Sequence, residues 1–183
     1  MDNALVTVAG LCDLKGKNFQ KGVDNYWTQI SIQEHLTIPD RKPEIKQITA
    51  INVAVRIIRE KVIVTPCTDS CPNFEGKLLT GRKLVIEGEL CQTISYSIDC
   101  GEEPVHSVHF AVPFSAYIVI PKKVNVSYKG QEKEIDSLNI NYQINACLED
   151  VFVKQNSPRQ VFDNVLLLLQ AIPSTANMYQ DEC

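Results

Sequence analysis

The residues with the clearest capacity for chemistry are the seven cysteines of this 183-residue chain. Cys67 and Cys71 form a CxxxC pair between Pro66 and Pro72, and such a pair could close a small disulfide ring or supply half of a zinc site. No second pair has a matching spacing, so we expect no bound metal. Because seven is an odd number, at least one thiol must stay free or pair with another chain.

The histidines offer little support for a catalytic or metal site. His106 and His109 are three residues apart, which places them on opposite faces of a strand, so they cannot readily share one ion. Cys100, His106 and Asp99 could be combined as nucleophile, base and carboxylate, but nothing in the sequence supplies oxyanion donors or a pocket. The chain also lacks the P-loop, GxGxxG, HExxH and GxSxG motifs. We therefore predict a protein that is not an enzyme and uses no cofactor.

Length and composition predict one domain with a core of useful size, since 44% of the residues are hydrophobic and 22% are charged. The formal net charge of -4 and the lack of a basic cluster argue against a nucleic-acid partner. The start MDNALVTVAGLCDL has no basic region and no long apolar run. It therefore predicts synthesis in a cytoplasm without a signal peptide, and no membrane partner.

The stretch 83–121 is the strongest structural signal, because apolar and polar residues alternate along it. Each strand therefore has an apolar face for the core, here called the dry face, and a polar face for solvent. The connection CGEEP between its two halves is typical of a turn. This pattern predicts a long hairpin and an all-β fold, an antiparallel β-sandwich. The residues expected on the dry face are Leu84, Ile86, Leu90, Ile94, Tyr96 and Ile98 in the first strand, and Val108, Phe110, Val112, Phe114, Ile118 and Ile120 in the second.

Further alternating stretches occur at 4–12, 26–38, 45–65, 124–128, 135–154 and 161–172, with loops expected at 10–24, 66–81, 128–134 and 155–160. Two segments allow a helix: 42–48, with Pro43 at a possible first position, and the segment after Ser157 and Pro158. For 161–172 we favour a strand, because its apolar residues also fit a sheet buried on both faces. The predicted organisation is an extension at 1–25, a sandwich domain at 26–173 and a tail at 174–183.

Strand parity predicts that two cysteines point away from the core. Cys91 shares a face with Glu87 and Glu89, and Cys147 shares one with Asn145 and Glu149. Free cysteines usually prefer burial, so outward thiols are unusual. They are either neutral surface thiols or sites of disulfides, within or between chains, made after the protein leaves a reducing compartment. The candidate crosslinking residues are Cys12, Cys67, Cys71, Cys91, Cys100, Cys147 and Cys183.

The segments GRKLVIEGEL, ISY and PVHSVHFAVPFSAYIVIP resemble the SPOCS domain family of clostridia and related endospore formers. LTIPDRKPEIKQI resembles the proline-rich entry of that family, and ACLEDVFVK with SPRQVF resembles its closing strands. The likeness extends over 38–172, and its most specific part is formed by 87–90 paired with 112–115. The resemblance implies a place in the outer layers of a spore, where such domains act as interaction modules with other coat proteins.

The sequence contains one copy of this domain and no recognisable LysM segment, unlike the best-known member of the family. Its strand-like extension and terminal cysteine suit a subunit that polymerises with itself. A free strand at 4–12 could complete the sheet of a neighbour, through the candidate donor residues Ala4, Leu5, Val6, Val8 and Leu11. The first hypothesis is therefore a structural subunit of a spore-surface filament or coat layer. The alternative is a module that recruits another coat protein without polymerising.

Overall fold

The computed structural model describes residues 6–12, 26–68, 71–73, 78–99, 105–128 and 131–174. These residues form nine β-strands and a single 3-10 turn, so the predicted all-β class is confirmed. The strands are β1 (Thr7–Ala9), β2 (Tyr26–Thr37), β3 (Gln47–Cys67), β4 (Thr80–Ser97), β5 (His106–Val119), β6 (Lys123–Tyr128), β7 (Gln131–Asp136), β8 (Asn141–Ser157) and β9 (Gln160–Ser174), with the 3-10 turn at Ser137–Asn139.

Two larger sheets and one small hairpin organise these strands. The four-stranded sheet has the order β1-β3-β4-β5 and the three-stranded sheet the order β2-β9-β8, while β6 pairs with β7. All pairings are antiparallel except that of β1 with β3. Buried residues of both larger sheets belong to one hydrophobic cluster, so each sheet has an inner face that carries this cluster and an outer face opposite to it.

The β4–β5 hairpin is present as expected, with its register running from the Lys83–Val119 pair to the Tyr96–His106 pair. The predicted dry residues of β4 from Leu84 to Tyr96 are fully buried, and Ile98 packs partly against the cluster. Of the residues predicted for the dry face of the second strand, Phe110 is half-buried and the others are buried. A local two-residue alternation was enough to specify this hairpin because its strands bury one face each.

Gly88 allows β3, β4 and β5 to approach one another at the centre of the hairpin. It pairs with Ile57 on one side and with Phe114 on the other. A Cβ atom at this position would lie 2.6 Å from Cζ of Phe114 and 2.7 Å from the carbonyl oxygen of Arg56. The aromatic ring therefore covers the space that a side chain would need, and β3 has a bulge between Ile57 and Arg59 at the same level.

Several predicted boundaries were wrong. The stretch 135–154 is divided by the 3-10 turn, because the Asp136 side chain accepts a hydrogen bond from the Leu138 amide at 2.9 Å and so stabilises a turn. The loop expected at 128–134 includes most of β7, since Gln131 already pairs with Tyr128. Likewise β3 continues past the expected loop start at Pro66 to Cys67, and β8 and β9 leave only a two-residue turn between Ser157 and Gln160.

Neither segment that allowed a helix forms one. Residues 42–46 are bound to the β8–β9 turn and to β4. The Ile45 amide donates to the Pro158 carbonyl at 2.8 Å, and the Lys46 amide donates to the Ser97 carbonyl at 2.9 Å. The segment after Pro158 is strand β9, as we favoured. It pairs with β2 on one side and β8 on the other, which explains its continuous apolar character.

The core contains a polar pair that the alternation did not single out. Gln92 of β4 and Asp163 of β9 are 2% and 0% exposed, respectively. Burial raises the pKa of Asp163 to about 6. The carboxylate oxygens have no hydrogen bond of ordinary geometry to any described residue, although the Gln92 amide lies close enough to oppose the rise. Burying a carboxylate with so little compensation is costly, so this pair is a destabilising feature at neutral pH.

Candidate functional site

The amino-terminal segment forms a small, peripheral strand on the edge of the four-stranded sheet. β1 pairs in parallel with β3 over three residues, from Thr7 opposite Ala50 to Ala9 opposite Asn52. β4 covers the other edge of β3 from Gln47 to Cys67. Among the described residues no strand pairs with the β1 side of β3 beyond Asn52. β3 thus offers an open edge of which β1 occupies only the beginning.

A glycine marks the point where the segment leaves this edge. Gly10 has a φ of 102°, a left-handed conformation that side chains with a Cβ rarely adopt. A Cβ at this position would also overlap the carbonyl oxygen of Val53. The backbone therefore needs glycine both for its dihedral angle and for its close approach to β3. The chain then crosses a groove of about 370 Å³ between β3 and β8.

On the far side of this groove the segment is attached to the three-stranded sheet. The Cys12 amide donates a hydrogen bond to the Leu148 carbonyl at 3.0 Å. A disulfide bond joins Cys12 to Cys147, 135 residues away in the sequence, with a Cα–Cα distance of 5.3 Å. The short strand and the disulfide together connect the open edges of β3 and β8, which belong to different sheets.

Cys147 is the outward-facing cysteine for which the structure shows a disulfide. It lies in register with Leu168 on the outer face of the three-stranded sheet, as parity predicted. It is only 1% exposed and forms a disulfide within the chain, which was one of the two alternatives left open by the sequence. The bond to Cys12 is a contact between residues far apart in the sequence that no strand pattern could reveal.

The remaining cysteines have separate environments. Cys91 is exposed on the outer face of the four-stranded sheet, as predicted, with its thiol 3.6 Å from a Glu89 carboxylate oxygen. Cys67 and Cys71 are also exposed, and the Lys122 ammonium lies 3.7 Å from the Cys67 sulfur. Cys100 and Cys183 fall outside the described residues. Disulfides through any cysteine other than Cys12 and Cys147 remain predictions.

Some of the candidate donor residues lie in the described part of the chain and others do not. Val6 and Val8 pack against the core cluster, whereas Leu11 is 47% exposed. Ala4 and Leu5 lie outside the described residues. The sequence pattern did not indicate Gly10, because an isolated glycine near a strand end is common and its importance depends on the contact with Val53.

The histidines have structural contacts on opposite sides of β5. The His106 ring stacks on Tyr96 with centroids 6.0 Å apart, and Nδ1 of His109 lies 2.9 Å from the Thr93 hydroxyl. Within the described ranges no group of three or more histidine, cysteine or acidic residues could hold a metal ion. The same part of the chain includes no helix long and apolar enough to cross a membrane.

Comparison with known proteins places the chain in a family. The family model described as SipL, SPOCS domain matches residues 44–154, which is more than half of the chain and includes β3 to β7. No curated protein matches. No solved structure matches. The hairpin that carried the resemblance lies entirely inside the matched range, and the chain belongs to the SPOCS domain family, which is associated with the spore coat.

Proposed function

We propose that this chain is a structural subunit of a spore-surface assembly, either a filament or a coat layer, and that it polymerises through its amino-terminal strand. Membership of the SPOCS family supports the spore-coat setting and a non-catalytic role. In this proposal the protein is made in the mother-cell cytoplasm without a signal peptide and reaches its final place at the spore surface. Its partners are further copies of itself and other coat proteins.

The observation that carries the proposal is the way in which residues 6–12 are attached. Their pairing comprises three residues of β1, one hydrogen bond from Cys12 and one disulfide. A second copy can supply the same segment to the same β3 edge with identical contacts, so exchange between copies sacrifices no interaction of the described segment. Thirteen residues separate Cys12 from Tyr26, enough chain to span up to about 45 Å when extended.

Exchange of this kind is directional. Each subunit would give its strand to one neighbour and receive a strand from another, which is a heterologous contact. Such contacts form rings if the rotation closes and open polymers if it does not. Repetition of the β1–β3 contact therefore suits a filament or a layer better than a closed pair.

The disulfide would then become a covalent bond between subunits. In a reducing cytoplasm the thiols of Cys12 and Cys147 would remain unlinked, and oxidation after lysis of the mother cell would close them. In this order of events the subunits assemble first, and the disulfide bonds later make the assembly resistant to dissociation.

The pairing of Cys12 with Cys147 can be tested by isotope mixing. Reduced protein labelled with ¹⁵N is mixed with an equal amount of unlabelled protein, oxidised and digested, and the disulfide-linked peptides are weighed. Strand exchange predicts that about half of the Cys12–Cys147 peptides combine one labelled and one unlabelled partner. Only fully labelled and fully unlabelled pairs would show that the bond forms within each chain, which contradicts the proposal.

A recruiting module that does not polymerise is the second candidate. The observation in its favour is that the segment 6–12 pairs with β3 of its own chain, which fills the start of that edge. Such a protein would stay a monomer or a dimer, and deletion of residues 1–12 would leave its binding to a coat partner unchanged. The isotope experiment separates the two candidates, since a strand paired within its own chain gives no mixed peptides.

A further inference from the structure

The outer face of the three-stranded sheet carries apolar side chains that no described residue covers. Every second residue of β9 faces this side, and Phe162, Leu166 and Leu168 are only half-buried there. On the neighbouring strand β8, Phe152 is 51% exposed and its ring lies 6.2 Å from that of Phe162. A sheet face open to water is normally polar, so aromatic and aliphatic side chains grouped around Asn164 on such a face are typical of an interface.

Strand register arranges this face in three consecutive rows, each running across β2, β9 and β8. We call these nine residues the outer patch. In order, the rows are Ser31, Leu166 and Asp150, then Gln33, Asn164 and Phe152, then His35, Phe162 and Lys154.

The two charges of the patch stand at its ends. Asp150 and Lys154 lie on either side of Phe152, and both are exposed. Neither forms an ion pair with another described residue. The patch thus has one acidic and one basic row, with an aromatic side chain between them.

The arrangement of the three rows of the outer patch is self-complementary. When two such sheets pack face to face around a two-fold axis along the middle row, the first row of one copy faces the third row of the other. Asp150 then meets Lys154 of the second copy, Leu166 meets Phe162, and Phe152 meets Phe152. Sheets packed in this way lie about 10 Å apart, close enough for all three contacts. The charge pairs form twice, once at each end of the patch.

We propose that the outer patch is a two-fold interface between two copies of this chain. It lies on a different sheet from the β3 edge at which β1 pairs, and it begins one row beyond Cys147, where the segment 6–12 ends. It therefore adds a second contact to the proposed assembly. A two-fold contact and a directional contact on one subunit would together connect polymers side by side. This combination builds a paired filament or a layer from a single protein.

Charge reversal tests the interface in the full-length Cys12→Ser variant under reducing conditions, which removes the disulfide contact. Analytical ultracentrifugation across a concentration series gives the dimer dissociation constant. Asp150→Lys and Lys154→Asp should each raise this constant by at least about tenfold, because each places two like-charged pairs in contact. The double variant Asp150→Lys with Lys154→Asp should restore the constant to within about threefold of the starting protein.

Lys133→Asp is the matched control, since it makes the same charge change on an exposed residue of β7 and should leave the constant unchanged. A second variant, Phe152→Asp, should abolish the dimer while leaving the thermal unfolding midpoint close to that of the parent.

Single variants that weaken the dimer without rescue by the double variant would overturn the proposed register. A parent protein that stays monomeric throughout would overturn the interface and leave a different coat protein as the occupant. The dimerisation experiment tests the outer patch and the isotope-mixing experiment tests strand exchange. Either proposal can therefore be rejected without rejecting the other.

Discussion

The buried carboxyl of Asp163 provides a quantitative test of the core. Its side chain is fully buried on the inner face of β9, beside Glu34 in register on β2 and close to the Gln92 amide of β4. Burial raises the pKa of Asp163 from 3.8 to about 6, Glu34 adds to the rise, and the Gln92 side chain and Glu34 backbone oppose it. The folded protein therefore favours the neutral carboxyl and the unfolded chain favours the charged one.

The sign of the effect follows from this difference. Because the folded pKa lies above the unfolded pKa, ionisation is costlier in the folded state, and stability falls as pH rises through the window between 3.8 and about 6. At about 1.4 kcal/mol per pKa unit, the full penalty is about 3 kcal/mol at neutral pH. Below the window the carboxyl is protonated in both states and the penalty disappears.

Asp163→Asn removes the charge and keeps the shape. We expect it to raise the free energy of unfolding by up to about 3 kcal/mol at pH 7.5 and by less than about 1 kcal/mol at pH 4. Urea unfolding of both proteins at the two pH values, with disulfides intact, measures the difference. Other carboxyls titrate equally in both proteins, so the difference isolates Asp163. Asp40→Asn, at an exposed position, should change stability by less than about 0.5 kcal/mol.

An equal change at both pH values would refute this reasoning, because the effect would then come from packing and not from ionisation. So would a variant less stable than the parent at pH 7.5. That result would mean that the carboxylate gains more from its surroundings than its burial costs.

Three further predictions concern the glycines and the disulfide. Gly88→Ala should lower the free energy of unfolding by about 2–4 kcal/mol, measured in urea, because its Cβ would contact Phe114 and the Arg56 carbonyl at under 3 Å. Gly10→Ala should increase amide hydrogen exchange at Thr7–Ala9 without altering the β4–β5 hairpin, since it disturbs only the crossing at Val53; unchanged exchange would contradict the role of Gly10. Cys12→Ser should lower the thermal unfolding midpoint under oxidising conditions to that of the reduced parent, and a midpoint equal to the oxidised parent would contradict a stabilising Cys12–Cys147 bond.

Sequence patterns predicted the parts of this fold that local physics determines. The β4–β5 hairpin follows from alternation alone, and the position of Cys91 on the outer face of the sheet follows from the same parity. The division between β7 and β8 was missed because it depends on one capping side chain, Asp136. Gln92 and Asp163 violate the pattern, since polar residues occupy positions that alternation assigns to the core.

The candidate site was less accessible to prediction. A strand at 4–12 was expected, but its parallel pairing with β3 depends on where the chain returns in space. The bond between Cys12 and Cys147 joins residues 135 positions apart, and seven cysteines allow many pairings. The outer patch can be recognised only from the strand register, which places Asp150, Phe152 and Lys154 beside residues of β9. Both features are properties of tertiary arrangement and leave no periodic signal.

Electron microscopy of the purified full-length chain tests the central claim most directly. The protein is imaged after air oxidation, again after thorough reduction, and in parallel as the variant lacking residues 1–12. A structural subunit predicts regular fibres or layers from the oxidised protein, their weakening on reduction and their absence without the amino-terminal strand. Uniform small particles in every state, or assemblies that survive the deletion unchanged, would contradict polymerisation through this strand.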